Sequence, residues 1–279
     1  MSTRGLALAL IMVVTGSTVL VSPVLAKYTV EEVQDGGTIR GVAKWKGAIP
    51  KIPPLTVFAD MQFCGKTVPS PVLQIDKHKR VRFVLVYLEK IDHGKPPESL
   101  EVLHMGKTPN RPESTLCNFE EHVFPYEHKT VMGLINYEKI IHIPHAFAKK
   151  GGTLFDIALP SPNQMVKHHE SRVHGVGLWF QCEVHVHMNG WLAGFSHPYF
   201  AMTDRKGKFE IDDVPAGKYT IVAWHEGYNI IKFDEQNRPH YDEPHIIKKE
   251  IEVKPGRTVG VHFLFPVRDV KVDWKIAGQ

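Results

Sequence analysis

Apolar and polar residues alternate with a period of two along much of the chain, which predicts strands rather than helices. The alternation is clear over residues 176–182, and residues 80–90, which are rich in Val, Phe and Tyr, predict the clearest strand of the first half. Shorter apolar runs between Gly, Pro and Asp turns predict further strands over 38–47, 72–75, 130–135, 154–159, 198–203, 208–211, 218–225, 246–253 and 258–265. No segment has a convincing helical period, so the predicted fold class is all-β.

Three segments interrupt this pattern and predict connections between strands. Residues 48–55 contain Pro50, Pro53 and Pro54 and predict an extended linker. Residues 91–115 are rich in Pro, Gly, Lys and Glu, which predicts an exposed loop. Residues 233–245 carry mostly acidic, basic and His side chains and predict a polar loop.

The first 26 residues have the composition of a secretory signal. Arg4 is followed by an apolar stretch, and small residues precede Lys27. An uncleaved membrane anchor is the alternative, but the polar break at 15–18 favours cleavage. No other stretch is long and apolar enough to span a bilayer. We therefore expect a periplasmic or extracellular protein whose mature chain has no stable membrane insertion.

Charge and cysteine content narrow the choice of function. The formal net charge of +4 is modest, which argues against nucleic-acid binding, and the 17 histidines suit transition-metal handling. In an oxidising compartment two of the three cysteines are expected to pair. Cys64 and Cys117 are the natural pair, because Cys182 stands beside His and Met residues. The sequence therefore predicts one disulfide and one free thiol.

Cys182, His185 and Met188 form a Cys-x2-His-x2-Met pattern at the end of a predicted strand. Thiolate, imidazole and thioether are soft ligands, which suit copper better than calcium or magnesium. Taken singly, a buried Cys and a core Met are the alternative interpretation. Together, and with no Cys-x2-Cys pattern of the zinc type, they indicate a metal site. A second imidazole from elsewhere would complete a trigonal blue-copper arrangement with a weak axial Met.

Five residues carry a resemblance to the cupredoxins, with a ligand loop similar to that of amicyanin: Asn136, His142, Cys182, His185 and Met188. The resemblance implies a Greek-key β-sandwich that binds one copper ion of type 1. It implies His142, Cys182 and His185 as equatorial ligands and Met188 as the axial ligand. His145 competes with His142 for the first position, and His187 competes with Met188. The chain departs from the family at Ile143, where an asparagine usually follows the first histidine.

A second resemblance covers the C-terminal part of the chain. The hairpin signature Thr203-Asp204-x-x-Gly207-x-Phe209, followed by 214–219, resembles a carboxypeptidase regulatory-like, transthyretin-like β-sandwich. The expected organisation is a signal segment, an N-terminal extension whose residues 36–47 pair with the C-terminal sandwich, a copper domain, the regulatory-like domain and a tail, with bounds 1–26, 27–55, 56–195, 196–268 and 269–279.

These observations lead to an electron carrier rather than an enzyme. Four protein ligands leave no open position on the metal, and the chain has no Gly-x-Ser-x-Gly elbow. The expected partners are exported redox proteins such as c-type cytochromes or a dehydrogenase, with electrons leaving through an exposed edge of His185. The alternatives are a copper carrier or buffer, and a non-catalytic binding or adhesion module.

Overall fold

The computed structural model describes residues 28–109, 111, 114–128, 130–170 and 172–268. The predicted signal segment 1–26 and the predicted tail 269–279 lie outside the described residues. The first ten strands are β1 (Thr29–Val30), β2 (Gly37–Lys46), β3 (Leu55–Thr56), β4 (Thr67–Val68), β5 (Leu85–Leu88), β6 (His93–Gly94), β7 (Leu100–Met105), β8 (Val123–Glu127), β9 (Val131–Asn136) and β10 (Pro144–Phe147). The remaining strands are β11 (Thr153–Asp156), β12 (Gln164–His168), β13 (Gly175–Cys182), β14 (Asn189–Phe195), β15 (Phe200–Met202), β16 (Lys208–Val214), β17 (Gly217–His225), β18 (Ile230–Phe233), β19 (Pro239–Tyr241), β20 (His245–Val253) and β21 (Thr258–Pro266).

The all-β prediction is confirmed. In the described part of the chain the one α-helix is α1 (Met61–Cys64), a single turn of four residues. Among the same residues, no helix has the length and apolar character needed to cross a bilayer.

The first sandwich is formed by a five-stranded sheet, β11-β10-β13-β14-β8, and a three-stranded sheet, β12-β9-β7. Both sheets contribute side chains to one core, which includes Leu103, Leu134, Phe155 and Leu192. Strand β13 alternates between buried and less buried residues, as its sequence predicts. Its inward residues end with Cys182, so the strand delivers this sulfur to the edge of the core.

The second sandwich is formed by the sheets β15-β5-β17-β20 and β16-β2-β21. Strand β2 runs antiparallel to β16 and parallel to β21, and it fills the centre of its sheet. Strand β5 pairs with β15 and β17, although it belongs to the segment 56–195 of the sequence. A boundary at residue 56 therefore does not follow the sheets, and the division into domains stays a prediction.

The two sandwiches meet through a separate apolar cluster. Its buried members are Phe83, Leu85, Val123, Ala193, Phe195 and Trp224. Beside it, the imidazole Nε2 of His122 contacts the carboxylate of Glu226, and both side chains are almost completely buried. The indole N–H of Trp191 donates to the same carboxylate at 2.6 Å. This junction therefore combines apolar packing with a buried contact between an imidazole and a carboxylate.

Several details of the sequence prediction are wrong, among them the strand over 72–75, where only an isolated bridge at Ile75 forms. The strand predicted over 80–90 is shortened to β5, because Phe83 adopts a left-handed φ of 61° that interrupts the extended backbone. The loop predicted over 91–115 contains β7, which pairs in parallel with β9. The polar loop predicted over 233–245 contains β19, which forms a hairpin with β18.

The fold predicts that Gly41→Ala is strongly destabilising. A Cβ at Gly41 would lie 1.7 Å from the carbonyl oxygen of Val261 and 2.6 Å from the ring of Phe209. Because a paired backbone cannot move aside cheaply, we expect a loss of about 3 kcal/mol in the free energy of unfolding, measured in denaturant. Gly260→Ala is the matched control on the neighbouring strand, since no atom lies within 4 Å of its added Cβ. Equal stabilities of the two variants would contradict this packing.

Candidate metal centre

Three metal-ligating atoms come together at one end of the first sandwich. The Nδ1 atoms of His142 and His185 lie 3.9 and 3.6 Å from the sulfur of Cys182. All three ligand atoms lie within 4.8 Å of one another, and the three residues are fully buried. The two imidazole rings are tilted by 45° with their centroids 4.8 Å apart. The structure thus gathers two nitrogens and one sulfur around a single point.

Strand pairing places His142 beside Cys182. Strands β10 and β13 are antiparallel, and Pro144 is directly opposite Cys182. The N–H of Glu183 donates to the carbonyl of Ile143 at 2.9 Å, which continues the pairing past the strand ends. The N–H of Ile143 lies 3.4 Å from the sulfur and donates to it. This donor occupies the position where the family resemblance led us to expect an asparagine.

The loop after Cys182 closes back on itself. The N–H of Cys182 donates to the carbonyl of Met188, and the N–H of Met188 donates to the carbonyl of His185. These bonds turn the loop so that His185 comes back over the sulfur. Met188 is fully buried in the core cluster that contains Cys182.

Asn136 braces the loop that carries His142. Its buried amide donates to the carbonyls of Ile140 and Leu159, both at 2.8 Å, and accepts the N–H of Glu138. The backbone of His142 is further fixed by two hydrogen bonds with Leu159. This asparagine, which the resemblance singled out, therefore positions the imidazole indirectly. It bonds to the backbone around His142 and not to His142 itself.

The remote nitrogens of the two imidazoles are held by carboxylates that the sequence analysis did not single out. The Nε2–H of His142 donates to the buried carboxylate of Glu138 at 2.8 Å. The Nε2–H of His185 donates to Asp60 at 3.0 Å. A carboxylate at the remote nitrogen fixes the ring and leaves Nδ1 as the ligand atom, which is typical of metal-binding histidines.

One further residue reaches the site from a hairpin outside the first sandwich. Arg238, in the turn between β18 and β19, is almost completely buried, and its guanidinium donates to the carbonyl of Cys182 at 3.0 Å. No local sequence signal indicates this contact, because 56 residues separate the two partners. Glu138 is closer in sequence, since it precedes His142 by four residues in the same loop.

The competing histidines lie outside this cluster. Both ring nitrogens of His145 are engaged elsewhere, with Glu183 at 2.7 Å and with Thr153 at 2.9 Å. The Nε2–H of His187 donates to the carbonyl of Cys117 at 3.0 Å. Burial lowers the pKa of His187 to about 4, so this ring is neutral near pH 7. Of the two candidates for the first histidine, His142 is the one that faces Cys182.

The expectation of an exposed edge on His185 is wrong. The side chain is completely buried, and Asp60 covers its Nε2 atom. The side chain of Asp60 is itself 39% exposed, so it separates the imidazole from solvent. The predicted disulfide between Cys64 and Cys117 is confirmed, and Cys182 is the free cysteine of the described residues.

The buried thiol and imidazole perturb one another. Burial disfavours the thiolate of Cys182, but hydrogen bonds with His142 and His185 outweigh it and lower the pKa to about 6. Burial likewise disfavours the charged form of His142, but hydrogen bonds with Cys182 and Glu138 outweigh it and raise the pKa to about 9. The lowered pKa of the thiol and the raised pKa of the imidazole both favour a thiolate–imidazolium pair in the metal-free protein.

Comparison with known proteins adds little to this picture. No protein-family model matches the chain, and no curated protein matches it. Several solved structures share a likeness with the chain, among them two cupredoxins. One is a purple cupredoxin from Nitrosopumilus maritimus, with 14% identity, a TM-score of 0.27 and coverage of 34% of this chain and 98% of the other. The second is a reduced amicyanin variant, with 15% identity, a TM-score of 0.27 and coverage of 39% and 98%. Similarity this low establishes neither a family nor a function for the chain.

The site predicts that the metal-free protein contains a thiolate near neutral pH. We expect the ultraviolet thiolate absorbance to appear with a midpoint near pH 6 rather than at the ordinary value of 9.0. The sign follows from the lowered pKa, because a depressed value keeps the group ionised at lower pH. Cys182→Ser is the control and should remove the transition. A midpoint at or above the ordinary value would show that the imidazoles do not stabilise the sulfur.

Proposed function

We propose that the chain is an exported electron-transfer protein that holds one copper ion at Cys182, His142 and His185. The observation that carries this proposal is the fully buried convergence of one sulfur and two Nδ1 atoms, with both remote nitrogens bonded to carboxylates. A thiolate with two imidazoles is a donor set that suits copper. Met188, from the same loop, is proposed as the weak fourth ligand.

The residues fit the demands of such an ion. Copper supplies a one-electron couple between Cu(I) and Cu(II) when it is bound. Cys182 offers a sulfur whose pKa is already lowered, so little work is needed to remove its proton. The carboxylates keep the imidazoles in one orientation, which limits rearrangement between oxidation states. No substrate chemistry is proposed, because four protein ligands leave no vacancy.

Burial favours electron transfer over delivery of the ion. A copper carrier has to exchange its ion through an accessible ligand, whereas an electron passes through covering side chains. His142, Cys182, His185 and Met188 each have no solvent-exposed surface. The carrier or buffer alternative therefore finds no support in the arrangement of the ligands.

The proposed exit for electrons passes from His185 to the surface at Asp60. Three apolar residues close to Asp60 in sequence are exposed: Phe58, Met61 and Phe63, with exposed fractions of 54%, 53% and 36%. A small apolar surface of this kind suits the brief contacts that electron carriers make. The proposed partners are exported redox proteins such as c-type cytochromes or a dehydrogenase.

This proposal predicts an intense visible absorption band when the mature protein is loaded with Cu(II). The band arises from charge transfer between the Cys182 thiolate and the metal, so Cys182→Ala should abolish it. His145→Ala is the matched control and should keep the band, because the ring of His145 is engaged with Glu183 and Thr153. The measurement is an absorption spectrum with a total metal count. A colourless protein with one bound copper per chain would refute the type 1 assignment.

A further inference from the structure

The carboxylate that holds His185 belongs to the segment of Cys64. Asp60 directly precedes α1 and adopts a left-handed φ of 52°, and its side chain makes no capping bond to the helix. Its backbone carbonyl instead accepts the N–H groups of Phe63 and Cys64, at 2.8 and 2.9 Å. An aspartate before a helix ordinarily caps it, so this side chain has been diverted to His185. The turn from Asp60 to Cys64 sets the position of the carboxylate.

The carboxylate that holds His142 is bonded to the segment of Cys117. One oxygen of Glu138 accepts the N–H of Cys117 at 2.9 Å, and the other accepts the Nε2–H of His142. Gly106 presses against this carboxylate, because a Cβ there would lie 2.2 Å from its Cδ atom. The carbonyl of Cys117 accepts the Nε2–H of His187 from the ligand loop. The backbone of Cys117 therefore contacts the site through both its N–H and its carbonyl group.

The disulfide joins these two supports. Cys64 and Cys117 are 53 residues apart in sequence, and their Cα atoms are 5.7 Å apart. Both belong to the core cluster that contains Cys182 and Met188. Helix α1 has a single turn, which is too short to be stable by itself, and Cys117 lies in a turn outside any strand. The covalent bond is thus the strongest constraint on the positions of Asp60 and of Cys117, whose N–H donates to Glu138.

We propose that the Cys64–Cys117 disulfide, Asp60 and Glu138 form a positioning frame that fixes both imidazoles over the sulfur of Cys182. Each carboxylate keeps the proton on Nε2, so that Nδ1 faces the sulfur, and the disulfide keeps the two carboxylates in register. Without the bond, both rings gain freedom to turn away, and the sulfur becomes accessible. The copper consequences rest on the proposed function, whereas the protection of the Cys182 thiol does not.

The test compares the intact frame with Cys64→Ala/Cys117→Ala, which leaves Cys182 as the only cysteine. In the metal-free proteins, the rate at which a disulfide reagent labels Cys182 is expected to rise at least about tenfold in the double variant. The affinity for Cu(I), measured against a chromogenic chelator, is expected to fall by about 10- to 100-fold, as is typical when the supports of metal ligands are removed. Val261→Ala, a buried change in the second sandwich, is the control for lowered stability alone.

Two further variants keep the disulfide and guard against a misfolded double variant. Asp60→Ala removes the acceptor of the Nε2–H of His185, and Glu138→Gln leaves one amide oxygen that cannot accept both the N–H of Cys117 and the Nε2–H of His142. Each is expected to change the energy of the copper–thiolate band or the copper hyperfine splitting, which a merely structural role would not move. Wild-type labelling rates and spectra in all three frame variants would overturn the proposal. A wild-type protein that binds no copper removes the proposed function, and the labelling rates still decide the frame.

Discussion

Two buried imidazoles stand beside one sulfur, and each is tied through its remote nitrogen to a carboxylate. A buried imidazole needs a partner for its N–H group, because an unsatisfied polar group in the core is costly. Glu138 and Asp60 supply these partners and so determine which nitrogen faces Cys182. The convergence of the three donor atoms thus depends on two acidic residues that are not themselves proposed as metal ligands.

Residues outside the first sandwich also support this arrangement, because Arg238 bonds the start of the ligand loop and Glu226 contacts the histidine that bonds its end. At the start of the loop, Arg238 donates to the carbonyl of Cys182. At its end, the Nδ1–H of His122 donates to the carbonyl of Asn189, and the ring of His122 is paired with Glu226. The strand β17 that precedes Glu226 and the hairpin that carries Arg238 both lie in the second half of the chain. The junction between the sandwiches is thus part of the support for the site.

The local features of the site were predictable from sequence, and the long-range ones were not. The spacing of Cys182, His185 and Met188 indicates a ligand loop because those residues are neighbours along the chain. The disulfide follows from the number of cysteines and the surroundings of the third. Asp60 and Arg238 were not predicted, because both are far from the ligand loop in sequence and contact it only in the folded chain. The wrong strand limits at Phe83 have a similar cause, since its left-handed backbone donates a hydrogen bond to the distant carbonyl of Thr203.

The burial of His185 changes how a redox partner would approach the site. An exposed imidazole would let a partner touch a metal ligand directly, whereas the proposed route crosses Asp60, which directly precedes α1. The same segment also presents the exposed side chains of Phe58, Met61 and Phe63. One short segment therefore fixes an imidazole on its inner side and offers an apolar surface on its outer side. Its geometry is held by Cys64, so the same covalent bond that orders the interior also orders the surface where the electron would leave.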